Sequence, residues 1–253
     1  MLVGLSACKN NQAPQEPDLT EKIRKEKIFK IGINENSKPF AYRDNSGELI
    51  GFDVDLIKEI SKKIFDTDKI IEFVPITPSN RIMTLSSGEV DIVISTMTIN
   101  QERLRIVDFS NPYFMTGQAV LVNEKSNIRS GKDLNGKKIG TVLGTTAATN
   151  IRYIASNAVI RGFKNYKEAF EEFQKGNLDA ISTDDVILQG IVEDNKGYKI
   201  LPDRYSTEFY GIAIRKDEAS KPLKNSINDA LSSLESKGII RKLEKKYNVH
   251  YRH

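Results

Sequence analysis

The sequence has very little cysteine and histidine, the residues that serve most zinc sites and the common nucleophile–base pairs of catalysis. Its one cysteine is Cys8, and its two histidines, His250 and His253, lie at the C-terminal end of the 253 residues. A Ser/His/Asp or Cys/His arrangement inside the fold is therefore excluded, and so is a typical zinc site of histidine and cysteine. A single cysteine also excludes an internal disulfide bond, so the stability of the protein must come from packed cores.

Three further absences each remove a class of function. The glycines form no Walker-type phosphate loop, which disfavours phosphoryl transfer. The 38 Lys+Arg residues stand against 34 Asp+Glu residues without a dense basic block, so we expect no nucleic-acid partner. No stretch after the leader approaches the roughly 20 apolar residues of a membrane span. Apart from an acid/base pair of carboxylates, what remains is recognition of a ligand, and we expect neither a metal nor a cofactor.

The leader, residues 1–8, reads MLVGLSAC, which is typical of the end of a secretory signal peptide. Its last four residues resemble the bacterial lipoprotein box, whose cysteine is lipidated after cleavage. Residues 9–25 begin with a polar stretch containing two prolines, which predicts a flexible tether. We therefore expect a body outside the cytoplasm, extracellular or periplasmic, that is anchored to the cell membrane by lipid on Cys8.

Short apolar runs alternate with helical patterns over the rest of the chain, which is 39% hydrophobic and 28% charged. The predicted strands are 28–33, 70–75, 90–94, 118–122, 138–142, 178–182 and 210–215. The predicted helices are 80–87, 147–156, 166–175, 221–236 and 239–247, with another helix that Asp53 can cap. This alternation predicts an α/β fold of mostly parallel sheets with helices on both faces.

One unit of helix, glycine, aspartate, strand and hydroxyl residue occurs twice, 88 residues apart. The copies are Leu85-x-x-Gly88-x-x-Asp91 with Ser95, and Phe173-x-x-Gly176-x-x-Asp179 with Thr183. We interpret the repeat as two lobes built on one plan, each of which presents the loop at the end of a strand to a common cleft.

The stretch Val90–Arg103 (VDIVISTMTINQER) contains the strongest chemical signal. An apolar run leads to a hydroxyl-rich loop and then to Asn100, a predicted helix start that places Arg103 on the first turn. The loop hydroxyls are Ser95, Thr96 and Thr98. Because a guanidinium matches the two oxygens of a carboxylate, our hypothesis is that this stretch is an α-carboxylate clamp.

Three other places carry polar groups that fit such a site. Arg81 falls in the first turn of a short helix, where the dipole disfavours a cation, so it is either functional or a solvated surface arginine. The turn at Gly144-Thr145-Thr146 can offer N–H groups to an anion. Asp184 and Asp185 are either an acid/base pair or helix caps. An α-amino acid is the simplest ligand that needs a clamp, an acid for its ammonium and a second arginine.

From Ile28 to Asn248 the chain resembles the extracellular solute-binding proteins, family 3, which deliver polar amino acids to ABC importers. The motifs that carry the resemblance are Gly51–Leu56, Ser95–Arg103, Val107–Tyr113, Gly140–Thr146 and Asp179–Asp184. The resemblance implies a two-lobed periplasmic-binding-protein fold of type II, with lobe 1 over 26–116 plus 216–253 and lobe 2 over 117–215. It also implies hinge strands near 114–118 and 210–214, a monomer, the subunits of an ABC permease as partners, and a receptor with no enzyme activity.

In the family the position matching Arg103 holds the α-carboxylate with those matching Thr98 and Thr96, and the position matching Asp184 takes the α-ammonium. The second lobe adds contacts from the positions matching Thr145 and Thr146. The complete set of residues that we expect at the ligand is Asn34, Phe52, Arg81, Ser95, Thr96, Met97, Thr98, Arg103, Thr145, Thr146, Asp184 and Tyr210.

The segment Pro75–Ile82 is similar to glutamate/aspartate binders, in which the position matching Arg81 pairs with the side-chain carboxylate. We therefore expect glutamate or aspartate as the ligand. Asn34 stands where such binders often have a cation, which leaves glutamine, asparagine or cysteine as the alternative, and Ser37 counts against cationic ligands. An alternative of another class is an enzyme on this fold, similar to cyclohexadienyl or prephenate dehydratases, with Glu35 or Asp185 as its acid.

Overall fold

The computed structural model describes residues 18–249. Predictions about Cys8, the leader and the first part of the tether lie outside these residues. The strands are β1 (Phe29–Ile33), β2 (Asn36–Ser37), β3 (Ala41–Arg43), β4 (Leu49–Ile50), β5 (Ile71–Pro75), β6 (Ile92–Val93), β7 (Val107–Phe109), β8 (Phe114–Thr116), β9 (Gln118–Asn123), β10 (Lys138–Val142), β11 (Val159–Phe163), β12 (Ala180–Asp184), β13 (Tyr198–Ile200), β14 (Glu208–Tyr210) and β15 (Ala213–Arg215). The helices are α1 (Leu19–Glu26), α2 (Phe52–Phe65), α3 (Arg81–Ser86), α4 (Gln101–Leu104), α5 (Ala147–Ile154), α6 (Tyr166–Gln174), α7 (Asp185–Glu193), α8 (Lys221–Ser236) and α9 (Ile239–Lys246), and a 3-10 helix covers Gly131–Leu134.

Two five-stranded sheets form the centres of two lobes, as predicted. The sheet of lobe 1 has the order β5-β1-β6-β15-β7, and the sheet of lobe 2 has the order β11-β10-β12-β9-β13. In lobe 1 β1 is parallel to β5 and β6, and in lobe 2 β10 is parallel to β11 and β12. The strands that return from the hinge, β15 and β9, run antiparallel to their neighbours. Because the parallel strands of a lobe end at the same edge, their loops meet in the cleft.

The internal repeat is a structural repeat. The glycines after α3 and α6, Gly88 and Gly176, both have positive φ angles, of 79° and 77°. The two aspartates occupy equivalent places: Asp91 accepts a hydrogen bond from the Lys30 amide at 2.8 Å, and Asp179 accepts one from the Lys138 amide at 2.7 Å. Each contact joins the start of a central strand to its parallel neighbour. The sequence therefore predicted correctly that the two lobes share one plan.

Two short strands, β8 and β14, join the lobes as an antiparallel pair with Phe114 opposite Tyr210 and Thr116 opposite Glu208. The predicted single strand over 210–215 is wrong, because the chain breaks between β14 and β15. There the Gly211 amide donates to Met97 O at 3.1 Å, and a Cβ at Gly211 would lie 2.9 Å from the Ile99 side chain. Since β15 pairs with β6 and β7, residues 213–215 belong to the sheet of lobe 1, whereas the predicted boundary placed them in lobe 2.

The tether prediction is wrong for residues 19–25, which lie in α1. Asp18 caps this helix by accepting from the Thr20 amide at 2.8 Å. Leu19 and Ile23 are buried in the core of lobe 1, and the Leu19 amide donates to Ala219 O at 3.0 Å, just before α8. The burial of Leu19 and Ile23 on one side of α1 is enough to hold this mostly charged segment as a helix. Within residues 18–249 there is no helix long and apolar enough to cross a membrane.

Helix α2 begins one residue before the predicted cap. Gly51 is the N-cap with φ 138°, and a Cβ there would lie 2.1 Å from Phe40 O, so only glycine fits. Asp53 therefore lies inside the first turn, and its side chain is free to contact a different segment. The predicted apolar face of the helix, Leu56, Ile57, Ile60 and Ile64, is buried as its spacing indicated.

Candidate functional site

A small cavity lies between the lobes at the ends of the central strands. Lobe 1 contributes the loop after β6 and the helices α3 and α4 to its wall, and lobe 2 contributes the turn before α5, the start of α6 and the end of β12. Its lining residues are Arg81, Thr96, Thr98, Arg103, Thr145, Thr146, Ala147, Tyr166, Thr183 and Asp184. Seven of these ten residues were expected at the ligand from the sequence.

Arg103 is held in place by contacts from both lobes. Asn100 caps α4, as predicted, and accepts from the Arg103 amide at 2.9 Å. The guanidinium donates to Thr98 O at 2.6 Å and, across the cleft, to Gly144 O at 3.0 Å. Burial lowers the pKa of Arg103, while the negative charges of Glu208 and Asp184 act in the opposite direction. The side chain is thus a buried cation that faces the second lobe.

Arg81 is 2% exposed, so the alternative of a solvated surface arginine is wrong. Its guanidinium donates to Ser95 O at 2.8 Å and to the same Gly144 O at 3.2 Å, while its Nε has no partner. Burial, followed by the charge of Arg103, lowers its pKa to about 9. Two guanidiniums of lobe 1 therefore converge on one carbonyl of lobe 2.

The Gly144 turn can approach these arginines only because position 144 is a glycine. Its φ angle is 80°, and a Cβ there would lie 2.3 Å from Pro78 O in lobe 1. The turn therefore brings a carbonyl and the residues Thr145 and Thr146 to the surface of the other lobe.

Asp184 supplies the acidic group of the cavity. It ends β12, is the N-cap residue of α7 and is 8% exposed, and its Oδ2 accepts a hydrogen bond from the Tyr210 hydroxyl. Burial and the nearby charge of Glu208 raise the pKa of Asp184 to about 7, although Tyr210 and Arg103 act to lower it. The carboxyl group is therefore poised to ionise when a cation approaches.

Three residues of the wall, Ala147, Tyr166 and Thr183, were not expected at the ligand. Thr183 donates to the Tyr166 hydroxyl at 3.2 Å, and burial, with the charge of Asp184, raises the pKa of Tyr166 to about 12. Thr183 occupies the place in the repeat that Ser95 has in lobe 1, so the repeat could have identified it. Nothing in the sequence indicated a place in the wall for Tyr166 beyond its position at the start of a helix.

Five expected residues lie outside the lining of this cavity. Phe52 and Met97 are fully buried in two different hydrophobic cores. Asn34 is buried and accepts from the Asn36 amide at 3.2 Å. Ser95 contacts Arg81 through its carbonyl, and Tyr210 reaches the cavity through Asp184.

The two carboxyl groups considered for enzyme chemistry are held by other side chains. Asp185 accepts from the Thr116 hydroxyl at 2.6 Å and from Arg204 Nε at 2.8 Å. Glu35 pairs with Arg43. Neither residue lines the cavity, so neither is a free acid at the site. Among residues 18–249, no three His, Cys, Asp or Glu side chains are grouped to hold a metal ion.

Comparison with known proteins gives relatives along almost the whole chain. The sequence profile of the bacterial extracellular solute-binding proteins, family 3, matches residues 29–250. The glutamine-binding protein GlnH of an ABC transporter of Bacillus subtilis is 36% identical over 96% of this chain and 91% of its own length. A glutamine-binding protein of Geobacillus stearothermophilus is 37% identical over 83% of this chain and 81% of its own length.

The fold agrees with solved structures. An ancestral arginine-binding protein bound to glutamine superimposes with a TM-score of 0.82 at 38% identity, over 88% of this chain and 98% of that one. The family and these relatives are binding proteins, not enzymes, which agrees with the prediction. The chain belongs to the bacterial extracellular solute-binding proteins, family 3.

Proposed function

We propose that the protein is the receptor of an ABC importer that captures L-glutamine between its lobes and delivers it to the permease. The observation that carries the proposal is that Arg103 and Asp184 lie on opposite sides of one interlobe cavity. A buried cation and a buried acid match the α-carboxylate and α-ammonium of an amino acid, and charge-assisted hydrogen bonds of this kind contribute roughly 1.5–3 kcal/mol each.

Glutamine replaces glutamate and aspartate, which the sequence favoured, as the proposed ligand. Two relatives that are 36% and 37% identical are named as glutamine-binding proteins. Arg81 can still contact the ligand side chain, because each of its terminal nitrogens has a second hydrogen besides the one donated to a backbone carbonyl.

We expect Arg81→Ala to change which amino acid is preferred, because Arg81 lies in the wall but is separate from the Arg103 clamp. The ratio of the dissociation constants for glutamine, glutamate and asparagine is the measurement. A ratio is insensitive to a general weakening of binding, and Arg81→Lys serves as the control that keeps a cation. An unchanged ranking in Arg81→Ala would show that Arg81 does not contact the ligand side chain.

We further propose that the protein acts as a monomer and is anchored to the cell membrane through lipid on Cys8. The support for the lipid anchor is the lipoprotein-box sequence Leu5-Ser6-Ala7-Cys8. In cells that express the full chain, Cys8→Ser is expected to abolish labelling by a radioactive fatty acid and to release the protein from the membrane fraction. Equal labelling of wild type and Cys8→Ser would contradict the anchor.

A further inference from the structure

The carboxyl group of Asp53 is buried directly behind the loop that carries the clamp. Asp53 is 0% exposed, and its Oδ2 accepts a hydrogen bond from the Thr96 amide at 3.3 Å. Asp53 lies on α2, 43 residues before Thr96 in the chain, so the contact joins two separate elements of lobe 1. Its other oxygen, Oδ1, has no hydrogen-bond partner among the described residues.

Thr96 needs such support because its backbone is strained. Its φ angle is 43°, in the left-handed region that a β-branched residue rarely adopts. A strained residue of this kind persists only where its surroundings hold it. The loop around it matters for binding, since Thr96 and Thr98 line the cavity. In addition, Thr98 O accepts a hydrogen bond from the Arg103 guanidinium at 2.6 Å.

Asp53 adjoins an aromatic cluster of lobe 1, since its amide donates to Phe40 O at 2.9 Å and Phe52 precedes it in the chain. Phe52 and Tyr113 stack at 6.3 Å between ring centres, and Phe40 and Phe114 complete the cluster. The titratable group that faces Asp53 is the Tyr113 hydroxyl, and the charge of Arg81 acts on Tyr113 in turn. Burial raises the pKa of Asp53 to about 7, although Tyr113 and the Thr96 amide lower it.

We propose that Asp53 is a positioning residue for ligand binding: through the Thr96 amide it holds the strained loop in the shape that places Thr96, Thr98 and Arg103 around the α-carboxylate. This inference rests on the proposed function, because it assigns a role in gripping an amino acid. Asp53 itself does not line the cavity. It acts from the core side of the loop, whereas Arg103 acts from the cleft side.

The chain offers a matched control in Asp91. Asp91 belongs to the same lobe and also accepts from a backbone amide, that of Lys30 at 2.8 Å, but it lies before β6 whereas Thr96 follows that strand. Asp53→Ala and Asp91→Ala each remove one such contact. Asp53→Asn keeps an oxygen that can accept from the Thr96 amide.

The first measurement is calorimetric titration of glutamine into the full chain. We expect Asp53→Ala to weaken binding about tenfold or more, since a shifted loop misplaces several contacts at once. Asp53→Asn is expected to bind close to wild type, and Asp91→Ala to bind like wild type even if it melts at a lower temperature. Binding by Asp53→Ala that equals binding by Asp91→Ala would overturn the proposal.

A second measurement needs neither a ligand nor an alanine variant. In ¹H–¹⁵N spectra of the wild type, the Thr96 amide signal should shift with a midpoint near the Asp53 pKa of about 7, and Asp53→Asn should remove that shift. If the chemical shift of the Thr96 amide does not change with pH, the contact between Asp53 and the Thr96 amide is absent. If no amino acid binds the wild type, the proposed function fails while this measurement still reports on the contact.

Discussion

Arg103→Ala is expected to weaken the binding of every amino acid by at least about 30-fold, whatever its side chain. The residue is buried, donates to Thr98 O and Gly144 O, and is the cation that faces the α-carboxylate in the proposed complex. Removing one partner of a buried, hydrogen-bonded charge pair costs about 2–5 kcal/mol, which is roughly a 30-fold to several-thousand-fold loss of affinity. Calorimetry with glutamine, glutamate and asparagine measures the loss.

Arg105 is the matched control for this prediction. It stands two residues after Arg103, directly after α4, and is exposed. Arg105→Ala removes the same charge from the same short segment and should leave the affinity unchanged. If Arg103→Ala still bound one amino acid as tightly as wild type does, Arg103 would not be the residue that holds the α-carboxylate, the group common to all amino acids.

Amino-acid affinity is expected to fall as pH drops from 7 to 5. The pKa of Asp184 is raised to about 7 by burial and by Glu208, so below neutral pH the unliganded protein carries this carboxyl protonated. An ammonium ion requires the ionised form, and ionisation therefore accompanies binding with release of a proton. Between pH 7 and pH 5 the ionised fraction falls from about a half to about one per cent, which predicts an approximately 50-fold weaker affinity.

Three variants separate Asp184 from other groups that titrate in this range. Asp184→Asn should bind poorly at every pH and lose the pH dependence. Glu208→Gln removes the negative charge that raises the Asp184 pKa, so the decline should begin at a lower pH. Asp53→Asn removes a second described carboxyl group with a pKa of about 7 and should leave the decline in place. An affinity that is flat between pH 5 and 7 in wild type would contradict this account of Asp184.

The sequence predicted best where one local rule determines the structure. The cap at Asn100, the strand Lys138–Val142 and the helix Lys221–Ser236 occur as expected, because capping and hydrophobic period act within a few residues. The repeat around Asp91 and Asp179 was recognisable for a similar reason. In each copy a short pattern builds one strand and its neighbour.

The errors arose where distant contacts override the local pattern. Asp53 has the right residue type for a cap, but the close approach of Phe40 O at Gly51 moves the start of the helix and turns Asp53 toward Thr96. Helix α1 forms in a charged segment because Leu19 and Ile23 are buried in the hydrophobic core of lobe 1. Neither partner of these contacts could be identified from the neighbouring sequence.

The candidate site shows the same division. Asp184 ends a strand, Thr98 lies in the loop after one, and Arg103 lies on the short helix that follows this loop, as the sequence predicted, and the structure brings the three to one cavity. Phe52 and Met97 belong to the family motifs without lining the cavity, because their side chains pack in the hydrophobic cores. Tyr166 reaches the cavity from an ordinary amphipathic helix, which only the arrangement of the two lobes reveals.

The most direct test of the account is calorimetric titration of the purified wild-type protein at pH 7.5 with each of the twenty amino acids in turn. The account predicts that glutamine binds in the micromolar range or more tightly and that it binds at least about tenfold more tightly than glutamate, a difference of about 1.4 kcal/mol. Tighter binding of glutamate than of glutamine would contradict the proposed ligand. If no amino acid binds more tightly than the millimolar range, the proposed receptor function itself is wrong.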